Sequence, residues 1–333
     1  YTIGQAKSQY APWEVPPIVN ELEAVFKELP DEELMAKLKG PRRRGPKGYN
    51  PSILWRCYVT YYVLGLTSVS DLIRLLYDNP YIAATCGINS PHDMPSQPSF
   101  SRFFTKLSRG QFKAQVNKVF YRLTQRLYDT MPNFGKSVAM DATDLKAWSN
   151  GAHQEPTDKD AGWVIKTDTA GRGKFTWGYK LSLLVDTTYE LPMAIKVTSG
   201  NVHELKVAPP LLSQSRRINS KFHPEHIIAD MGYSSREFRH LIHRQYRATP
   251  VIKANPKHKK AIEAYPETPD WQLIYNRRSS AERVFGRLKC HRKLNHIRVR
   301  GIRKVTVHCL MSIIVFQAQA LATGPGGFIR KVA

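Results

Sequence analysis

SVAMDATDLKAW, residues Ser137–Trp148, is where this chain changes character. Its β-prone residues, set off from what precedes by Pro132, predict a strand. WGYKLSLLVDT (Trp177–Thr187) and LPMAIKVTSG (Leu191–Gly200) repeat the pattern, so three strands follow one another. HELKVAPPLLSQSRR then predicts a helix interrupted by its two prolines, and EHIIAD a short buried strand. SSREFRHLIHRQY reads as a helix, TPVIKAN as another strand, and residues 276–290 as a last helix. Strands followed by alternating helices and strands predict a mixed five-stranded sheet flanked by helices. WVIKTDTAGRGKF, between the first two strands, reads as an exposed loop.

Working outward, residues 1–135 are helical almost throughout. Asn50-Pro51 is a helix start, with Asn as the cap and Pro in the first turn. SILWRCYVTYYVLG follows, apolar on most of its circumference and therefore central to a core. SVSDLIRLLYDN, PYIAATCGI and QPSFSRFFTKLSRG are three short helices with the rhythm of a helix-turn-helix, a rhythm that any α-bundle also produces. QFKAQVNKVFYRLTQRLYDTM closes the segment as a longer amphipathic helix. The KGPRRRGPKG stretch (39–48) is too rich in Gly and Pro for a helix; it is either a solvated linker or a basic arm whose Arg42, Arg43 and Arg44 touch phosphates.

A formal net charge of +23 over 333 residues favours a polyanionic partner, nucleic acid before an anionic membrane surface. The four cysteines are scattered and form no CxxC pair, which argues against zinc and for a reduced, intracellular setting. No signal-peptide pattern is visible at the start. VTVHCLMSIIVFQAQALA (Val305–Ala322) approaches membrane-span length, but His308, Gln317 and Gln319 interrupt it, and a buried helix is expected.

Asp141 lies inside the first strand and Asp230 directly after the apolar run of EHIIAD, at a sheet end where open α/β folds hold ligands. Asp144 competes with Asp141, but three positions apart on a strand the two face opposite ways. Asp186 reads as a turn-starting residue and is set aside. In YNRRSSAERVFGRLK (Tyr275–Lys289), at about 100° per residue, Tyr275, Arg278, Glu282 and Lys289 fall within an arc of roughly 60° on one helix. Ala281, Val284, Phe285 and Leu288 occupy the neighbouring buried arc, and Arg283 and Arg287 face solvent. Taken alone, Arg278 and Glu282 form an ordinary i, i+4 pair. Together with two strand aspartates, Glu282 completes an all-oxygen set suited to Mg²⁺ or Mn²⁺. Two such ions serve in-line displacement at a phosphodiester, and the basic residues crowding Glu282 suit the flanking phosphates.

At this point the chain resembles the DDE transposases of bacterial insertion sequences, in the subgroup with a Tyr-(2)-Arg-(3)-Glu-(6)-Lys signature. Tyr275, Arg278, Glu282 and Lys289 match its spacing, and Asp141 in MDATD and Asp230 in ADMGYSS are similar to its first two acids. GYKLSLLVDT, LPMAIKVTSGNVHE and GYNPSILWRCYVTYYVLGLTSVSDL also resemble family segments, and the likeness covers about residues 35–322. Ala142 departs from the common Gly after the first acid. The interval from Asp230 to Glu282 is too short for the large β insertion of some relatives, so roles tied to that insertion do not transfer.

The resemblance implies an RNase H-like catalytic core over 136–323, a helical DNA-binding or dimerising region over 1–135, and a tail over 324–333. It implies two Mg²⁺ ions, replaceable by Mn²⁺, held by Asp141, Asp230 and Glu282. Arg278, Lys289 and Tyr275 would meet the DNA backbone. Water would free a 3′-hydroxyl at the element's terminal inverted repeats, and that hydroxyl would attack target DNA. The partners implied are double-stranded DNA and at least a second copy of the chain, with no membrane and a cytoplasmic, nucleoid-associated setting. A domesticated nuclease and a non-catalytic DNA-binding regulator are the competing readings.

Overall fold

The computed structural model describes residues 15–40, 48–152, 155–167, 173–254 and 268–332. Arg42, Arg43 and Arg44 lie outside the described residues. Backbone contacts divide the chain into two units: residues 1–123 with Leu288–Arg298 and Val307–Ala333, and Thr124–Arg287 with Val299–Thr306.

The first unit is built on α1 (Pro17–Glu28), α2 (Glu32–Lys39), α3 (Pro51–Val63), α4 (Val69–Asp78), α5 (Pro80–Thr85), α6 (Gln97–Leu107) and the start of α7 (Gly110–Thr130). Asn50 caps α3 as expected, its side chain accepting the Ser52 N–H, with Pro51 in the first turn. Apart from its first turn and Arg56, α3 is buried, so it forms the axis of a core. Tyr58 of α3 packs its ring 5.6 Å from Phe100 and 5.2 Å from Phe104 of α6. Its hydroxyl donates to the Phe100 carbonyl.

The apolar C-terminal run forms α8 over Ile302–Val332, with Gly324 at φ 71° breaking its regularity. Between Ile302 and Gly324 it is long and apolar enough to cross a membrane, yet most of it is buried in the protein. Its polar residues are used there. Tyr62 donates its hydroxyl to His308 Nδ1 (2.8 Å), and His308 Nε2 donates to the Leu294 carbonyl (3.1 Å). Gln319 donates to Glu21 (2.7 Å).

The second unit carries β1 (Ser137–Lys146), β2 (Gly162–Thr167), β3 (Gly173–Asp186), β4 (Leu191–Ser199), β5 (His226–Ala229) and β6 (Thr249–Ile252). β3 pairs antiparallel with β1, and β5 pairs parallel with both β1 and β6. β3 is long enough for β4 to join its second half, Tyr179–Asp186, and β2 its first half, Gly173–Gly178. A mixed sheet flanked by helices and preceded by a helical region is the RNase H-like architecture expected.

Among the described residues the sheet has six strands, not five. The added strand is β2, in the segment read as an exposed loop. It pairs residue for residue with the start of β3, Trp163 opposite Trp177. Trp163 and Ile165 are exposed while Val164 is buried, so one face alone packs, and the pairing depends on residues beyond a polar connection. The helix after β4 also starts later than expected. A 3₁₀ turn covers Glu204–Lys206, and α9 runs over Ala208–Ile218. Its two prolines sit in the first turn, where their missing N–H groups cost nothing, so they open the helix instead of breaking it. Asp186 behaves as the turn former it was read to be: its carboxylate accepts N–H groups from Gly135 (2.8 Å), Thr188 (3.0 Å) and Tyr189 (2.7 Å).

Candidate active site

The sheet register assembles the first two acids. β1 and β5 run parallel, with Met140 opposite Ala229, the last residue of β5. The next position on each chain is an aspartate, Asp141 on β1 and Asp230 just past β5. Neighbouring strands lie about 4.8 Å apart, so the two carboxylates leave the backbone side by side. Asp230 also caps the 3₁₀ turn Met231–Tyr233, its Oδ1 accepting the Gly232 N–H at 2.9 Å. Asp141 accepts the Ala142 N–H at 2.8 Å. Burial pushes the Asp141 carboxyl up to about 6; the Ala142 N–H and Arg278 work against the rise, and Asp230 and Glu204 add to it. Asp144 is engaged elsewhere, 2.6 Å from Lys166. The choice of Asp141 over Asp144 therefore rests on register as well as on face.

Glu282 reaches the region differently. It lies in the first turn of the helix Ser279–His291, here α11, with its side chain 54% exposed and 2.6 Å from Arg278. Arg278 in turn is within electrostatic reach of Asp141. Among the described residues no three Asp, Glu, His or Cys side chains are gathered as a ready metal cluster. The structure thus joins Asp141 with Asp230, and links Glu282 to Arg278.

The single helix expected for Tyr275 to Lys289 is broken. One helix, α10 (Pro269–Asn276), ends before α11 begins at Ser279, with Arg277 and Arg278 in a turn between them. The cause is local. Ser279 Oγ donates to the Asn276 carbonyl (2.9 Å) and Ser280 Oγ to the Arg277 carbonyl (2.7 Å), the competition by which serine ends regular helix. Tyr275 consequently stays on α10, where its ring stacks on Trp271 at 4.9 Å and lies under Lys253 at 5.0 Å. Lys289 remains on α11, two turns beyond Glu282 and half-buried.

Ala281, Val284, Phe285 and Leu288 are buried as expected. Arg283 and Arg287 do not simply face solvent. Arg283 Nε is 2.6 Å from Glu190 Oε1 and Arg287 Nη1 is 2.5 Å from Glu190 Oε2, so both fasten α11 to the turn between β3 and β4. Glu190 holds a positive φ of 55° in that turn, which helical periodicity on α11 has no means of revealing.

Residues 132–316 match the family model described as a transposase DDE domain, and residues 15–106 match a second, described as a transposase domain (DUF772). The chain belongs to the DDE transposase family. This transposase is also similar to the piggyBac transposase in a synaptic complex with hairpin DNA, at 10% identity and a TM-score of 0.44, over 96% of this chain and 80% of that one. No curated protein matches it. DDE transposases are DNA-cleaving enzymes that generally use divalent metal ions.

One acid escaped the sequence reading. Glu204 stands 3.5 Å from Lys180 of β3 and within electrostatic reach of Asp141. Its only sequence signal was its place in the family-like segment ending NVHE.

Proposed function

We propose that this DNA transposase cuts the ends of a mobile element and joins the freed 3′-hydroxyl to target DNA, with Asp141, Asp230 and Glu282 as its metal-binding acids. The observation that carries this reading is the parallel β1–β5 register, which sets Asp141 beside Asp230. The donors fit a hard divalent ion: all are carboxylate oxygens, and the register sets two of them on neighbouring strands. Two bound Mg²⁺ or Mn²⁺ ions would supply Lewis acidity to the attacking and leaving oxygens of the displacement.

The chain's own residues orient the DNA. Arg278 holds Glu282 in the free protein and would exchange that partner for a phosphate as DNA arrives. Lys289 of α11 would bind a second phosphate, while the Tyr275 ring, with Lys253 above it, offers a cationic and aromatic surface to the backbone. Arg42, Arg43 and Arg44 would add contacts from the basic arm. In the first unit Arg102, Lys106 and Arg109 line a cavity of about 490 Å³ with Phe112, which supports a phosphate-binding role for the N-terminal helices. Joining two ends requires at least a dimer on DNA.

The test uses labelled terminal-repeat DNA and Mg²⁺. Glu282→Gln should abolish cleavage and strand transfer while leaving binding to the ends intact. Full cleavage by that variant would refute the assignment of Glu282. Binding without cleavage by the unaltered protein, at any end sequence, would favour the regulator reading.

A further inference from the structure

Two turns at the carboxyl end of the sheet remain unexplained by the three acids. The 3₁₀ turn Glu204–Lys206 is capped by His203, whose Nδ1 accepts the Leu205 N–H at 3.2 Å. It packs against the 3₁₀ turn Met231–Tyr233 that follows Asp230. Lys180 secures the first turn twice, donating to the Val202 carbonyl (3.4 Å) and standing 3.5 Å from Glu204. Glu204 and Lys180 are both mostly buried, so the carboxylate is held in place and not free to leave for solvent.

The second turn supplies an independent sign. Tyr233 is fully buried, and its hydroxyl has no hydrogen-bond partner. Glu204, Asp141 and Asp230 all lie within electrostatic reach of that phenol. A buried hydroxyl is normally paired, so an unpaired one within electrostatic reach of three carboxylates calls for a partner that arrives with a ligand.

We propose that Glu204 is a fourth carboxylate of the divalent-ion site and that Tyr233 is its positioning residue, donating its O–H to a carboxylate of the group when an ion is bound. The inference rests on the metal-binding reading of Asp141 and Asp230. In the ion-free protein Lys180 supplies the positive charge beside Glu204; a divalent ion would supply it when bound. Second-layer donors of this kind hold ligating oxygens in place, and their loss typically costs about 10–100-fold in metal affinity.

The experiment titrates the full-length protein with Mn²⁺ in the absence of DNA, following free Mn²⁺ by electron paramagnetic resonance. Cleavage of end DNA is then measured against Mg²⁺ concentration. Glu204→Gln should raise the half-saturating Mn²⁺ concentration at least about tenfold and shift the Mg²⁺ dependence of cleavage in parallel, with Glu204→Asp recovering part of the loss. Tyr233→Phe should shift both curves in the same direction by a smaller factor. An unchanged Mn²⁺ isotherm for Glu204→Gln would overturn the proposal. Should that variant fail to fold, Tyr233→Phe, which only removes an unpaired oxygen, carries the test, and an unchanged isotherm there overturns it equally. Asp141→Asn separates the two levels. If it alone loses ion binding and cleavage, the fourth carboxylate fails and the underlying site stands; if it retains both, the underlying site fails.

Discussion

His308 in the first unit and Asp141 in the second are both titratable groups taken out of water, but their surroundings differ. His308 has both ring nitrogens paired, with Tyr62 and with the Leu294 carbonyl. Asp141 has one backbone N–H, an aspartate beside it, Arg278 and a glutamate within reach and an unpaired phenol nearby. The first arrangement is complete in the protein alone. The second is not, and an acid pair with so few partners is one that a cation can finish. Burial by itself therefore does not distinguish the two groups; the completeness of their pairing does.

The sharpest way to break that contrast is Asp141→Asn. It should cut cleavage by roughly three orders of magnitude or more, as loss of a metal ligand does. The same change removes a buried charge, so the ion-free protein should melt at a higher temperature. A variant that loses both activity and stability would make Asp141 structural, like His308. Thermal unfolding at several pH values with and without Mg²⁺ measures both outcomes.

The histidine gives the next effect. Burial holds His308 down to about 4 in the folded protein, against an ordinary value near 6.5. Because the folded value is depressed, the unfolded chain binds the proton first. Stability from this group is complete above about 6.5 and is lost as pH falls towards 4, by about 3 kcal/mol in all. Replacing His308 with Gln should flatten stability across that window; an unchanged slope would deny His308 the part given to it.

Arginine substitutions at and just before α11 sharpen the contrast further. Arg278→Ala should lower cleavage about a hundredfold through lost phosphate contact. Arg283→Ala breaks part of the Glu190 clamp and should cost about 1 kcal/mol of stability with a smaller change in rate. Comparable kinetic losses from both would show that the position of α11, rather than contact with phosphate, is what Arg278 controls.

Much of this was legible in the sequence, for reasons particular residues make clear. Asp230 announced itself because an acid directly after an apolar strand falls at a sheet end. The buried arc of α11 followed from helical spacing, and the Asn50-Pro51 start from capping chemistry. The break between α10 and α11 did not follow, because periodicity takes no account of Ser279 and Ser280 bonding back to Asn276 and Arg277. Nor did β2, whose pairing partner lies across a polar connection.

The amino-acid sequence alone determined which acids are candidates, their strand or helix setting, and the basic company of Glu282, since those depend on local spacing and side-chain chemistry. Tertiary structure alone decided which acids meet. Strand register put Asp141 against Asp230, a turn carried Glu190 to Arg283 and Arg287, and two packed 3₁₀ turns brought Glu204 within reach of Tyr233. Each of these joins residues far apart in the chain, and such contacts arise from packing and pairing that no local pattern encodes.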